Sequence, residues 1–161
     1  GASSGIGRAT AIKVADMGAL AILLARNEEQ LMATVNEILG SGGRAFGYVC
    51  DVTDAEAVEA ALTRILADHD HVDMLVNNAG RSIRRSLTRS TDRFHDFERT
   101  MAVNYFGAVR MTMGLLPQMQ ARRFGHVVNI HDKAADQANL PHTNNLTFIN
   151  VTTIGEVRTT R

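Results

Sequence analysis

Cysteine is almost absent. Cys50 stands alone, so no disulfide framework is possible and no metal cluster is suggested. Net charge is absent as well: Lys plus Arg is 17 and Asp plus Glu is 17. That balance argues against a general nucleic-acid or membrane-surface binder, which would be clearly basic. No apolar run approaches the ~18 residues of a membrane span. No charged-then-apolar leader opens the sequence, and neither an internal repeat nor a low-complexity linker interrupts it. Lysine occurs only at positions 13 and 133, and tyrosine only at 48 and 105. What is present is ordinary. Hydrophobic residues make up 45% of 161 residues, enough to bury a core in about one domain. The expectation is a soluble, cytoplasmic, globular protein.

Elements alternate along the chain. The opening "GASSGIG" reads as a glycine-rich turn leading into a short helix over Arg8–Met17, ended by Gly18. "ALAILLA" (19–25) is a continuous apolar run, expected for a strand buried on both faces. Asn27 then caps a helix with Gln30 in the capping-box position, and Leu31, Val35, Ile38 and Leu39 form its apolar face. "RAFGYVCDV" is a second strand; Thr53 and Glu56 read as a second capping box, opening a helix striped by Val58, Leu62, Ile65 and Leu66. "VDMLVNNAG" is a third strand ending in a polar turn. After a basic loop over 81–91, one long helix is expected from about Asp92 to Met119, decaying at Pro117 and Gly125, before a fourth strand, "GHVVNI". Strict alternation implies βαβ crossovers, hence an α/β fold with a doubly wound parallel sheet of Rossmann type.

The glycines at positions 1, 5 and 7 suit a phosphate cradle. Gly1 permits the tight turn, Gly5 lets backbone approach a pyrophosphate, and Gly7 lets the helix pack on the sheet. The helix N-terminus supplies N–H groups and the positive dipole end. A plain β-to-α turn would look similar, but here the turn opens a helix and a βαβ unit follows.

Four motifs in order, "GASSGIG" at 1–7, "CDVTD" at 50–54, "NNAG" at 77–80 and "GHVVNI" at 125–130, with "MAVNYFGAV" before the last, resemble the short-chain dehydrogenase/reductase family over residues 1–130. The stretch from Val72 through "FHDFERTMAVNYFGAVR" resembles the branch tied to fatty acyl-CoA and long-chain aldehyde reduction. The resemblance implies that Gly1, Ser3, Ser4, Gly5, Ile6 and Gly7 line the cofactor phosphates. It implies that Asp51 and Val52 meet the adenine, and that Asn78, Ala79 and Gly80 border the adenosine ribose. It makes Asn104 a catalytic-set residue that bends its helix and holds a water in a proton relay. Asn104 is flanked by Val103, Tyr105 and Phe106, so its side chain needs a partner. At the end of "ALAILLAR", where an acid would accept from a ribose 2′-OH, stand Arg26 and Asn27. A guanidinium clamps a 2′-phosphate with paired charge-assisted bonds, and Arg8 adds a second positive charge. NADP(H) is therefore expected over NAD(H).

The resemblance stops short of the chemistry. The family's catalytic set adds a Ser, a Tyr and a Lys four residues after that Tyr. Residues 52 and 109 are both Val, so neither Tyr48 nor Tyr105 has the lysine. After "GHVVNI", His131 and Asp132 stand at the serine positions, Asn145 near the Tyr position and Ile149 near the Lys position. The expected organisation is a dinucleotide-binding domain over 1–130 and a divergent tail over 131–161, with strand composition at 146–154. With no strand ahead of the glycine turn, an incomplete sheet and an impaired enzyme are expected. A non-catalytic nucleotide-binding or interaction module, or a reductase with catalytic groups relocated to the tail, remain open. His126, His131 and His142 lack metal-ligand spacing, and His69 and His71 read as a solvated helix end.

Two surfaces point to partners. Arg81, Arg84, Arg85 and Arg89 suit either a solvated loop or an anionic substrate handle such as the phosphates of a CoA ester. The long helix is apolar on more than one face (Phe94, Phe97, Met101, Phe106, Val109, Met111, Met113, Leu116), as in a homo-oligomer. The substrate expected is a small carbonyl or alcohol, an acyl-CoA or a long-chain aldehyde; no nucleic-acid partner is expected.

Overall fold

The computed structural model describes residues 1–130 apart from residue 84; the expectations for the tail lie outside the described residues. The chain divides into two compact units at Asp70.

In the first unit, α1 (Gly5–Asp16), β1 (Leu20–Ala25), α2 (Glu28–Gly40), β2 (Arg44–Val49) and α3 (Ala55–His69) follow in order. β1 and β2 are parallel, in register from Leu20 opposite Arg44 to Ala25 opposite Val49. One face of β1 is buried through Ala21, Leu23 and Ala25, while Leu20, Ile22 and Leu24 on the other face are only half-buried. Ala11 and Ala15 of α1 and Leu31, Val35 and Ile38 of α2 complete this core. The small side chains let α1 lie close to the strand. Gly47 does the same for α2, since a Cβ there would stand 3.1 Å from Val35 Cγ2 and 3.2 Å from Leu31 Cγ. Truncating a side chain such as Leu31 would cost about 2–5 kcal/mol.

Helix ends follow local side-chain chemistry. α1 begins at Gly5, three residues earlier than the periodicity implies, and stops where Gly18 takes φ +90°. Asn27 caps α2 as expected, its Oδ1 accepting from Gln30 N at 2.8 Å. Leu39 lies at the rim of the helix, 50% exposed, and buried Thr34 takes its place on the packed face. The cap of α3 is Asp54, not Thr53. Asp54 Oδ1 accepts from Glu56 N and Ala57 N, whereas Thr53 donates both its N–H and its hydroxyl to Asp51 Oδ1. A carboxylate is the better acceptor for a helix N-terminus, and it displaces the hydroxyl. The α3 stripe buries Val58, Ala61, Leu62 and Ile65, with Leu66 half-buried.

The second unit contains β3 (Met74–Asn77), a 3₁₀ turn (Leu87–Arg89), α4 (Phe94–Met101), a π-helical segment (Ala102–Gly107), α5 (Ala108–Arg122) and β4 (His126–Asn129). β3 and β4 are parallel, from Met74 opposite His126 to Asn77 opposite Asn129. The expected single helix is thus divided by a π segment, though its backbone stays right-handed at both junctions, Ala102 and Ala108. Pro117 does not end it. The exposed proline sits inside α5, which runs to Arg122 and closes at Arg123 (φ +54°). Gln118 Nε2 donates to Val72 O at 2.8 Å and Arg122 pairs with Asp73 at 2.8 Å, tying α5 to the segment entering β3.

The described strands form two separate two-stranded ladders where alternation alone predicts one sheet. No helix among the described residues is long and apolar enough to cross a membrane.

Candidate functional site

The glycine turn is anchored at the C-terminal end of β1. Gly1 N and Ala2 N both donate to Leu24 O, at 3.3 and 3.2 Å. Ser4 is the extended N-cap residue of α1, and no side chain caps the helix there. The N–H groups of the first turn therefore face outward without a competing carboxylate, as an anion cradle requires. Gly5 adopts φ +53°, a conformation that strains any L-residue. Ser3 is half-buried, Ser4, Gly5 and Ile6 are exposed, and Gly7 is buried where α1 leaves the turn.

Around this turn the charges are unequal in their freedom. Arg8 forms an ion pair with Glu37, so its charge ties α1 to α2. Arg26 is 72% exposed, with Nη1 a loose 3.7 Å from Asp51 Oδ2. Burial pushes the Asp51 carboxyl up, but the two Thr53 hydrogen bonds and the Arg26 charge outweigh it and hold the group below its ordinary value. Asn27 spends its side-chain oxygen on the α2 cap. Val52 is half-buried beside Asp51. The adjacent Cys50 is buried, and burial raises its thiol pKa, so it stays protonated at neutral pH.

The two tyrosines stand in different surroundings. Tyr48 donates to Asp68 Oδ2 at 2.8 Å and lies 2.8 Å from His69 Nε2. Burial first, then the Asp68 hydrogen bond and charge, push its phenol up to about 12. His69 is accordingly not a solvated helix end: its ring also packs edge-on against Phe46, 4.7 Å between centroids. Tyr105 is exposed, packed edge-on against Phe106 within the π segment.

In the second unit, the polar turn after β3 is latched to the π segment. Asn104 Oδ1 accepts from Arg81 N and Asn104 Nδ2 donates to Arg81 O, both at 2.8 Å. The partner its apolar flanks demanded is thus the backbone just beyond Gly80. Asn78 and Ala79 are half-buried and Gly80 is exposed. A second amide was not singled out from the sequence: Asn77 Nδ2 donates to Asn129 Oδ1 at 2.9 Å and to Thr112 Oγ1 at 3.2 Å, joining β3, β4 and α5. Asn129, polar within the apolar run "GHVVNI", was the available signal for it. Asp96 was also missed, and it collects Arg85 and Arg93.

Comparison with known proteins identifies the arrangement. Residues 1–144 match the short chain dehydrogenase family, extending beyond the residue-130 limit of the motif resemblance. A fatty acyl-CoA reductase of Acinetobacter baylyi is 52% identical over 130 residues, covering 81% of this chain and 44% of that protein. A fatty acyl-CoA reductase of Mycobacterium tuberculosis is 42% identical over 130 residues, with the same coverage of 81% and 44%. The chain thus spans less than half the length of these curated relatives. Among solved structures, a metagenomic short-chain oxidoreductase in complex with NADP superposes with a TM-score of 0.78 at 36% identity, covering 83% of this chain and 60% of that one. A gluconate 5-dehydrogenase from Burkholderia cenocepacia, in complex with NADP and tartrate, gives 0.74 at 31% identity, covering 80% and 50%. The parallel strands are thus those of an α/β Rossmann fold, of which this chain covers part, and the chain belongs to the short-chain dehydrogenase/reductase family of oxidoreductases.

Proposed function

We propose that residues 1–130 form the NADP(H)-binding portion of a reductase acting on a carbonyl or alcohol, with an acyl-CoA or long-chain aldehyde as the substrate class, and that residues 131–161 are its divergent tail. The carrying observation is Arg26, an exposed guanidinium at the end of β1 with only a 3.7 Å pair to Asp51. The residues present fit the cofactor: the uncapped first turn of α1 and the positive-φ Gly5 make a backbone cradle for a diphosphate. When bound, the nicotinamide supplies or accepts the hydride.

The chain's own residues do the holding. Gly1, Ser3, Ser4, Gly5, Ile6 and Gly7 take the diphosphate, Arg26 forks onto the 2′-phosphate, and Arg8 contributes only the charge left over from Glu37. Asn27 shapes the strand end by capping α2. Asp51 and Val52 border the adenine; Asn78, Ala79 and Gly80 keep the ribose-bordering role the family resemblance gives them. Asn104 holds the turn at Arg81 and so fixes the geometry in which a relay would run. A phenol at about 12, as in Tyr48, does not release its proton near neutral pH. Neither tyrosine is followed by a lysine four residues on, and this supports the reading that the 161-residue chain binds cofactor with impaired turnover. Phe94, Tyr105, Phe106 and Met113, exposed along α4, the π segment and α5, suit burial against a second copy in a homo-oligomer.

NADPH titration combined with NADPH oxidation over a panel of long-chain aldehydes and acyl-CoAs tests this reading. Saturable binding without turnover supports it, and turnover well above background overturns the impairment. Absence of NADPH binding overturns the function and leaves an interaction module.

A further inference from the structure

Between positions 81 and 99 the sequence carries six arginines against three acids, Asp92, Asp96 and Glu98. That is a local excess of three positive charges, six minus three, in a chain whose formal net charge is zero. Arg85, Ser86, Arg89, Asp92 and Arg93 line one open cleft of about 700 Å³. Two of its arginines, Arg85 and Arg93, are paired with the Asp96 carboxylate, whose side chain is only 10% exposed. Asp96 Oδ2 takes Arg93 Nε at 2.8 Å and Arg85 Nη1 at 3.2 Å, and His95 Nε2 lies 3.3 Å from Oδ1. One carboxylate thus holds two guanidiniums in place without neutralising both. Arg89 makes no ion pair among the described residues, and neither does Asp92.

We propose that this cleft binds the 3′-phosphoadenosine diphosphate handle of a coenzyme A thioester. It rests on the reductase reading above for the identity of the thioester, but the site stands on its own residues. Preplaced guanidiniums fork onto phosphate oxygens, and two of them here are already ordered by Asp96. The volume suits a nucleotide-sized group and exceeds what a lone phosphate fills. Asp92 adds a carboxylate acceptor among the cations, a match for an exocyclic adenine amine that a bare polyphosphate lacks. The flexible pantetheine arm lets this anchor lie away from the reacting carbonyl.

The test is a titration of coenzyme A into the 161-residue chain in the presence of excess NADPH, beside a titration of NADPH alone. The Arg89→Ala variant removes a guanidinium without an ion partner, and its thermal melt should match that of the parent. Expected are saturable coenzyme A binding without displacement of NADPH, a loss of about tenfold or more in Arg89→Ala, and partial recovery in Arg89→Lys. Weaker binding of 3′-dephospho-coenzyme A, and weaker still of inorganic phosphate, is expected, with NADPH affinity unchanged throughout. Coenzyme A that displaces NADPH, binds equally well to Arg89→Ala, or fails to bind overturns the proposal. Loss of NADPH binding alone, with Arg89-dependent coenzyme A binding intact, would overturn the cofactor reading and leave this site standing.

Discussion

Arg26 and Arg8 are the same residue type near the same turn, yet their surroundings give them different work. Arg8 is spent on Glu37, while Arg26 reaches Asp51 only at 3.7 Å. Arg26→Asp should therefore weaken NADPH far more than NADH, because only the former carries the 2′-phosphate. Equal losses for both cofactors in parallel titrations would remove Arg26 from that role. Asp51 also carries a pH signature. Its folded-state pKa lies below the unfolded value, so its contribution to stability is complete above the ordinary carboxylate range and is lost as pH falls through the lowered folded value. Asp51→Asn should melt below the parent at pH 7, with the gap closing below about pH 4. A gap that is constant with pH would show that the carboxylate charge contributes nothing. The Arg26 position was legible in the sequence because a strand end is a fixed point. The engagement of Arg8 was not, since Glu37 lies 29 residues away and only the packing of α1 on α2 brings it near.

The elements divide in the same way between what is local and what is not. The Asn27 cap and most of the α2 and α3 stripes follow from side-chain period and capping chemistry and stand as expected, whereas Leu39 lies at the rim of α2 and β1 buries only one of its two apolar faces, because burial of the second needs a non-local neighbour. Thr53 gave way to Asp54 because two acceptors competed for one helix start. The π segment has no side-chain period to announce it. It carries Asn104, whose side chain reaches Arg81, and π turns of this kind occur inside α-helices, frequently at functional sites. Asn104→Ala removes both hydrogen bonds and leaves the Arg81 amide and carbonyl without that partner. It should cost about 1–3 kcal/mol and speed hydrogen exchange at the Arg81 amide. Unchanged exchange there would show that the latch does not hold the turn. Gly47→Leu should also destabilise, because its Cβ would already crowd Val35 and Leu31 at 3.1–3.2 Å; a thermal melt equal to that of the parent would contradict that packing.

At the scale of the whole molecule, alternation of helices and strands was enough to read an α/β fold with parallel pairing, and the motif order was enough to read the family. The separation into two ladders reflects which strands find a hydrogen-bonding neighbour, a non-local matter. The exposed Phe94, Tyr105, Phe106 and Met113 belong to this scale too. A charge at Met113 (Met113→Glu) should shift the chain toward smaller species in size measurements if these residues meet a second copy, and an unchanged size distribution would count against that contact. The central claim is that this chain is built to hold NADP(H). It is tested most directly by titrating NADPH and NADH, in parallel, into the 161-residue protein. The account predicts saturable NADPH binding, tighter than that of NADH. No saturable NADPH binding, or equal affinity for the two, would contradict it.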